Sequence, residues 1–418
     1  MACRAMNSKE SKTAMEHIHT LVIGGGQADI ATSAHLAKQG VPHVVLERAR
    51  IAERWRSERW DSLVANGPAW HDRFPDANFD DLDPNAFPGK DRIADYFEAF
   101  ACTRNLPIRT GVTVTGLAQE GAGFCATTSG GWIKAQNVVV ATGPFQRPVI
   151  PAVIDDPGLT QIHSNAYRNP GALPQGAVLV VGAGSSGAQI AEELVRAGRR
   201  VFLSVGPHDR PPRRYRGQDF VWWLGKLGKW DLKAPTPGTE HVTIAVSGAY
   251  GGHTMDFRRL AALGVTLLGR AGTFQDGRLA IAPDLGQNIA NGDRNYLSVL
   301  EEADAYARAH DLALPDEPEA RHFLPLPPEV TDPLRVLDLA ANGISTVIWA
   351  TGFQLDFGWI GIDVFDASGC PRHRDGVAEL PGLYFVGLPW LSCRGSAFIW
   401  GAWRDAERLA GLIAARGI

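Results

Sequence analysis

Two glycine-rich turns are the features of this sequence best suited to chemistry. The first, GGGQADI at residues 24–30, follows the apolar run HTLVI, and the second, GAGSSG at residues 182–187, follows AVLVV. Glycines at a strand-to-helix turn let the backbone approach a pyrophosphate, which the helix N-terminus receives with unpaired N–H groups and positive partial charge. The chemistry that both turns predict is dinucleotide binding.

The first turn satisfies only part of the G-x-G-x-x-G pattern. Gly24 and Gly26 are present, followed by Gln27, but Asp29 occupies the third glycine position. A carboxylate there favours the helix dipole and repels a pyrophosphate. Glu47, at the end of the next predicted strand, can accept hydrogen bonds from an adenosine ribose. The turn is therefore either a dinucleotide site with weakened retention or a vestigial site that folds without cofactor.

The second turn meets the full pattern. Gly182, Gly184 and Gly187 occupy the three glycine positions, with Ser185 and Ser186 between them. The context is the required one, an apolar strand before the turn and an amphipathic helix after it.

The segment after the second unit indicates which dinucleotide it takes. An acid would usually follow the strand VFL at residues 201–203 to bind an NAD ribose, but Ser204 stands there, and arginines come soon after. This favours a 2′-phosphate and hence NADP, the alternative being a solvated loop. The arginines are Arg210, Arg213, Arg214 and Arg216.

The elements around the turns predict an α/β fold with two Rossmann-like dinucleotide-binding domains. Each turn lies in a βαβ unit, and alternating residues between the units predict a small antiparallel element. The passages VVVATGPF and STVIWATGF resemble each other, so we expect the chain to leave the first domain and return to it. We predict a disordered leader at 1–16, the first domain at 17–150, the second with an insertion at 151–339, and the return at 340–418.

Composition narrows the classes of function. The 418 residues carry a net charge of −4 with mixed signs, which gives no reason to expect nucleic acid or a membrane surface as partner. The five cysteines are scattered without a C-x-x-C pair, so we expect no disulfide framework and no thiol redox centre. No signal peptide, membrane span or metal-ligand spacing is recognisable, and we expect a cytoplasmic protein acting on small molecules.

The two turns, the two ATG passages and the C-terminal LYFVGLPW and RGSAFIWGAWRDAERLA together resemble the flavin-containing monooxygenase superfamily. The resemblance covers nearly the whole chain after Ile18 and extends to bacterial NAD(P)/FAD-dependent oxidoreductases, plant indole-3-pyruvate monooxygenases and Baeyer-Villiger enzymes. It implies that the first turn binds FAD and the second binds NADPH, so that the NADP domain is inserted into the FAD domain. The family's F-x-G-x-x-x-H signature is only partly present around His163, which we interpret as structural.

Further contacts follow from the resemblance, residue by residue. The segment RWRSERWDSL would run along the flavin and supply Trp55, Arg56 and Trp60. Gly387 would lie beside the flavin. The ATG passages would join the domains through Thr142, Gly143, Thr351 and Gly352.

Two residues are candidates for catalysis. Arg394 would assist a helix that begins near Ser396 in stabilising the negative charge of reduced flavin, unless it is a surface arginine. Asn66 would face the flavin, unless its Asn-Gly-Pro run is simply a turn. Trp223, in a tryptophan-rich stretch, either lines a substrate pocket or packs in a core.

The resemblance implies a monooxygenase in which NADPH reduces the flavin, O2 is captured as a flavin C4a-(hydro)peroxide, and one oxygen atom passes to a small organic substrate. Two alternatives stay open. One is an NADPH-dependent flavin reductase or dehydrogenase without productive oxygen transfer, and the other is a non-catalytic dinucleotide sensor with a weakened FAD site. The substrate and the oligomeric state are not indicated.

Overall fold

The fold is built from two parallel β-sheets with helices packed against them. The computed structural model describes residues 15–234 and 244–417. The strands are β1 (Glu16–Ile23), β2 (His43–Glu47), β3 (Ile108–Thr110), β4 (Val114–Glu120), β5 (Gly123–Thr128), β6 (Gly131–Val140), β7 (Arg147–Pro148), β8 (Thr160–His163), β9 (Ala177–Val181), β10 (Val201–Ser204), β11 (Arg214–Tyr215), β12 (Gln218–Asp219), β13 (Val265–Leu268), β14 (Ala271–Gln275), β15 (Arg278–Ile281), β16 (Val336–Asp338), β17 (Ile344–Trp349), β18 (Phe353–Gln354), β19 (His373–Arg374), β20 (Val377–Ala378) and β21 (Leu383–Phe385).

The helices connect the strands and cover the sheets. Apolar residues of the first and the last helix share one core, which closes one face of the first sheet. The helices are α1 (Gln27–Lys38), α2 (Glu53–Ser57), α3 (Lys90–Thr103), α4 (Ser185–Arg196), α5 (Phe220–Lys226), α6 (Phe257–Ala262), α7 (Leu285–Ala309), α8 (Pro328–Thr331) and α9 (Ile399–Ala415).

The first sheet contains the first glycine turn. Its order is β19-β20-β21-β6-β1-β2-β3, and β21, β6, β1, β2 and β3 run parallel. The predicted antiparallel element is present, since β4 and β5 form a meander that continues into β6. The turn after β1 therefore lies at the carboxyl edge of a parallel sheet, where ligands bind in open α/β folds.

The second sheet contains the second glycine turn. Its order is β13-β10-β9-β17-β8, with every pair parallel. Strand β9 feeds the turn and α4 follows it, as the sequence predicts. The two sheets confirm an α/β fold with two Rossmann-like units.

One predicted domain boundary is wrong. The strand Ile344–Trp349 pairs with β9 and β8, so it belongs to the second sheet, although the boundary at residue 340 assigned it to the first. The chain crosses back only after Trp349, where Phe353–Gln354 pairs antiparallel with Arg147–Pro148 on the outgoing connection. The two ATG passages look alike in sequence because each follows a buried parallel strand, and the sequence does not say which sheet holds it.

The predicted leader, residues 1–16, overlaps the start of the first strand. Residues 1–14 lie outside the described residues, but Glu16 already begins β1, and its carboxylate accepts hydrogen bonds from Arg109 at 2.6 and 2.7 Å.

Among the cysteines, Cys102 is disulfide-bonded, which the scattered cysteine pattern did not predict. Across residues 15–234 and 244–417, no helix is long and apolar enough to cross a membrane.

Candidate functional site

A cavity of about 370 Å³, which we call the large cavity, opens at the carboxyl edge of the first sheet. Its walls come from the first glycine turn, the end of β2, the 52–59 segment and the first ATG passage. Eight sequence-predicted residues line it: Gly24, Gly26, Gln27, Glu47, Trp55, Thr142, Gly143 and Gly387.

The glycines of the first turn are required by close backbone contacts. Gly24 has φ +139°, and a Cβ on it would lie 2.7 Å from the Ala141 carbonyl oxygen. A Cβ on Gly25 would lie 2.4 Å from the Glu47 side chain. A side chain at either position would collide with these neighbours and displace the turn, so glycine here forms a cradle for a ligand that approaches the backbone closely.

Asp29 is fully buried beneath this cradle. Its Oδ1 accepts a hydrogen bond from the Gly26 N–H at 2.5 Å, and its Oδ2 has no partner within the described part of the chain. Burial, and secondarily the negative charge of Glu47, hold the pKa of the Asp29 carboxyl well above its usual range. The carboxyl therefore keeps a proton at pH values where an exposed aspartate has lost it, and its repulsion of a pyrophosphate is reduced.

Arginines that the sequence analysis missed give the large cavity positive charge. Arg48, Arg54 and Arg59 all line it. Burial lowers the pKa of Arg59 to about 10, so this guanidinium stays protonated near neutrality. The Arg-rich run ERARIAERWRSER just after the first βαβ unit is the signal that could have identified them.

Two residues predicted beside the flavin lie elsewhere. Arg56 bonds Asp95 and Glu98 on α3 at 2.9 and 2.7 Å, because these carboxylates lie on the side away from the large cavity. Trp60 is buried in the core beside the second sheet.

The far end of the large cavity is closed by the C-terminal segment. Gly387 has φ +76°, and a Cβ on it would lie 2.5 Å from the Cβ of Ala28. Gln27 donates a hydrogen bond from Nε2 to the Ala397 carbonyl at 2.8 Å, which ties the first turn to this segment. The helix predicted near Ser396 begins at Ile399, after a 3₁₀ turn over Arg394–Ala397.

The second glycine turn has the tighter geometry of the complete pattern. Gly182 has φ +105°, and a Cβ on it would meet the Ala350 carbonyl oxygen at 2.4 Å. A Cβ on Gly187 would lie 1.8 Å from the Gly182 carbonyl oxygen. Only glycine fits at Gly187, which brings helix α4 close to strand β9.

Part of this second turn is covered by the 244–247 segment. The Ser185 N–H and hydroxyl both donate to the Ile244 carbonyl at 2.8 Å, and Gln189 donates to the Val246 carbonyl at 2.7 Å. A backbone carbonyl thus occupies one of the helix N-terminal donors that would face a pyrophosphate. This contact joins residues 59 apart in the chain, so no local sequence pattern indicates it.

Two of the residues predicted to hold a 2′-phosphate are engaged elsewhere. Ser204 is buried, and its Oγ bonds Gly269 and Ala271 at 3.0 Å. Arg213 is buried in an ion pair with Asp219. Arg214 is exposed.

Arg270 stands closer to the expected position of a 2′-phosphate. It lies exposed just after β13, beside Gly206, where its Cγ would lie 3.6 Å from an added Cβ, and its Nε donates to the Asp284 carboxylate at 2.5 Å. Gly206 follows β10, the strand after which Rossmann domains contact the ribose. An arginine at the end of the neighbouring strand is the signal that could have found it.

The two catalytic candidates occupy different places. Asn66 joins its loop to the second domain, since its Oδ1 accepts from Gln189 at 2.9 Å and its carbonyl accepts from Arg213. It does not line the large cavity. Arg394 lines a separate cavity of about 100 Å³ together with Asp209.

The second ATG passage forms the connection between the sheets, as expected of it. Thr351 donates from Oγ1 to the Val149 carbonyl at 2.5 Å, and the Gly352 carbonyl accepts from the His163 ring at 2.9 Å. His163 is buried there, in keeping with the structural interpretation of its motif.

A fold with two dinucleotide units and a glycine-lined cavity defines a flavoprotein oxidoreductase of the two-dinucleotide-domain class, and comparisons with known proteins agree. The pyridine nucleotide-disulphide oxidoreductase family matches residues 21–216. An uncharacterized oxidoreductase CzcO-like from Geobacillus kaustophilus is 35% identical over 94% of this chain and 98% of its own length. Indole-3-pyruvate monooxygenase YUCCA1 from Oryza sativa is 32% identical, over 47% of this chain and 51% of its own.

Solved structures share the fold over the whole chain. A flavin-containing monooxygenase from Stenotrophomonas maltophilia superposes with a TM-score of 0.66 at 18% identity, covering 96% of this chain and 99% of that one. A bacillithiol disulfide reductase from Bacillus cereus superposes with a TM-score of 0.63 at 15% identity, covering 96% and 100%. The chain belongs to the family of the CzcO-like oxidoreductases and is a flavin-dependent oxidoreductase that acts on small molecules.

Proposed function

We propose that this protein is an FAD-dependent, NADPH-using monooxygenase acting on a small organic substrate. In each cycle NADPH supplies two electrons as a hydride and a proton is taken up, while one oxygen atom of O2 enters the substrate and the other leaves as water. The observation that carries the proposal is the glycine-lined large cavity, which runs from the first turn to Gly387 and Ala397. Bound FAD supplies the redox chemistry and the reaction with O2.

The residues of the large cavity fit the parts of FAD. Gly24 and Gly26 bring the backbone close to the diphosphate, and Arg59 adds positive charge. Glu47, at the end of β2, is placed to accept from the adenosine ribose. The raised pKa of Asp29 lets a neutral carboxyl stand where an ionised one would oppose the diphosphate.

The second turn fits a nicotinamide dinucleotide. Gly182 and Gly187 create the close approach, and the cofactor competes with the Ile244 carbonyl for the Ser185 N–H. Arg214 is exposed, and Arg270 is exposed but paired with Asp284, so a 2′-phosphate would bind Arg214 and compete with Asp284 for Arg270, which favours NADPH over NADH. The cytoplasm, where NADPH is supplied, is the location that we propose, and cell fractionation tests it.

A spectrum and an oxygen balance test the proposal. We expect the purified, desalted protein to show flavin absorbance and to release FAD on denaturation. Gly24→Val, whose Cβ would collide with the Ala141 carbonyl and displace the turn that lines the large cavity, should be colourless. Gly411→Ala is the matched control, because an added Cβ there meets no atom within 4 Å.

Three outcomes separate the candidate functions. Substrate-dependent incorporation of ¹⁸O from ¹⁸O2, with one NADPH oxidised per product, supports the monooxygenase. NADPH oxidation that yields hydrogen peroxide but no oxygenated product, for every substrate class tried, would replace it by the reductase. A protein that binds NADP⁺ but stays colourless after incubation with FAD would replace it by the sensor.

A further inference from the structure

The cavity of about 100 Å³ that contains Arg394, which we call the small cavity, has two wall residues, Ile244 and Arg394, that are connected to the two cofactor-binding regions. Ile244 borders it, and the carbonyl of Ile244 is the one bonded to Ser185 at the second turn. Arg394 begins the 3₁₀ turn that ends at Ala397, a wall of the large cavity. The wall of the small cavity is therefore linked to the second turn through Ile244 and to the large cavity through the 3₁₀ turn that begins at Arg394.

Two opposite charges face the small cavity and attract each other across it without forming a direct ion pair. Asp209 and Arg394 are each partly buried, and neither side chain forms a hydrogen bond or an ion pair with any other described residue. Because they form no direct ion pair, a gap separates them. Burying a charge without a partner is costly, so this pair favours a ligand that brings a charge to each of them.

The remaining polar groups of the wall add one uncompensated acceptor. The Asn295 Oδ1 is buried without a hydrogen-bond partner among the described residues. Lys229 and Glu302 neutralise each other at 2.6 Å. The rest of the wall is mostly apolar: Pro211, Phe220, Trp223, Leu224, Leu227, Ile244 and Val299.

We propose that the small cavity binds a small α-amino acid with an apolar side chain, as the substrate of the monooxygenase proposed above, on which this assignment to a substrate rests. The ligand's carboxylate pairs with Arg394, its ammonium group pairs with Asp209 and Asn295, and its side chain packs on Phe220 and Trp223. Trp223 is fully buried and rigid, since its Nε1 donates to the Tyr215 carbonyl at 2.9 Å.

The charge pattern excludes simpler ligands on energetic grounds. A monocarboxylate would neutralise Arg394 and leave Asp209 without a partner, whereas an amine would do the reverse. A volume near 100 Å³ favours a ligand of a few carbon atoms over a dinucleotide. The nicotinamide carboxamide of the cofactor is the competing occupant, and it carries no charge for either residue.

Calorimetric titration of the purified holoprotein, without NADPH, tests the assignment through binding alone. The probes are L-methionine, 4-(methylthio)butanoate, which lacks the ammonium group, and 3-(methylthio)propylamine, which lacks the carboxylate. L-leucine and L-phenylalanine vary the side chain. We expect the amino acids to bind about ten-fold or more tightly than either single-charge probe, the value of one lost charge-assisted hydrogen bond.

Two variants and a control localise the ligand. Asp209→Asn should weaken methionine about ten-fold and leave 4-(methylthio)butanoate unchanged, and Arg394→Gln should weaken methionine while leaving the amine unchanged. Arg404→Gln, which removes an exposed ion pair with Asp231 outside the small cavity, should change neither.

The result separates this inference from the proposed function. Any of three results overturns the inference. The first is no heat with any of the three amino acids, and the second is binding of the single-charge probes as tight as that of the amino acids. The third is that Asp209→Asn changes the binding of NADP⁺ and not that of the amino acids. Binding that follows the predicted pattern without methionine-stimulated O2 consumption keeps the ligand site and overturns the role of that ligand as substrate. O2 consumption with an uncharged substrate, and no amino-acid binding, keeps the monooxygenase alone.

Discussion

Replacing Asp29 by asparagine should remove a pH dependence from both folding and FAD binding. The variant keeps an oxygen for the Gly26 N–H, which Asp29 now holds at 2.5 Å, but it carries no titrating proton. The pKa of Asp29 lies well above its ordinary value of 3.8, because the carboxyl is buried and faces Glu47. The folded protein therefore holds a proton that the unfolded chain has released.

The sign and size follow from proton linkage. Above pH 4, stability that depends on the protonated carboxyl falls as pH rises, by at most about 1.4 kcal/mol per pH unit, until pH passes the folded pKa. Wild type should therefore lose stability relative to Asp29→Asn across this range. Where Asp29 ionises, FAD affinity of the wild type should also fall by up to about ten-fold per pH unit.

Urea unfolding of the apoprotein and fluorescence titration with FAD, each from pH 5 to 8, measure both effects. Glu47→Gln is an informative companion, because loss of its charge should lower the pKa of Asp29 in the folded protein and end the fall in stability at a lower pH. Parallel pH curves for wild type and Asp29→Asn, in both assays, would refute the reasoning.

Three further predictions follow from single contacts. Gly387→Ala should destabilise the protein by roughly 1–2 kcal/mol, because this position has a φ of +76° and an added Cβ would contact Ala28. Gly411→Ala in α9 should instead stabilise the protein by roughly 0.5–1 kcal/mol. Thermal unfolding of both variants measures the sign of each change. Arg270→Gln should raise the KM for NADPH about ten-fold or more and leave that for NADH unchanged, and equal effects in steady-state kinetics would exclude the 2′-phosphate contact. Arg213→Met should cost roughly 3–5 kcal/mol of unfolding free energy, because it leaves the carboxylate of Asp219 buried and unpaired; a loss below 1 kcal/mol in denaturant titration would contradict this.

Much of the architecture was predictable from local sequence. A buried strand, a glycine turn and an amphipathic helix are encoded within some thirty residues, so both βαβ units and the antiparallel meander were identified. The boundary at residue 340 failed for a specific reason. Strand β17 resembles the end of β6, and pairing partners in a parallel sheet are set by long-range packing rather than by the strand's own residues.

The residues of the site were also predictable only in part. Gly24, Gly26, Gln27 and Glu47 line the large cavity as the turn pattern predicts, because spacing alone fixes where they lie on a strand and a helix. Residues predicted from charge were less reliable. The sequence predicts Arg213 as a phosphate ligand, but its guanidinium pairs with Asp219 and donates to the Asn66 carbonyl. Composition does not reveal such partners.

The sequence by itself determined the two dinucleotide turns, the α/β class and the family, because these depend on residue types at short, fixed spacing. Three features depend on the tertiary structure alone. They are the raised pKa of Asp29, the hydrogen bonds from Ser185 to the Ile244 carbonyl, and the presence of Asp209 and Arg394, which are 185 positions apart, in the wall of one cavity. Burial, charge proximity and cavity shape depend on which distant segments pack together. These properties arise from long-range contacts, and those contacts decide which of the predicted residues meet a ligand.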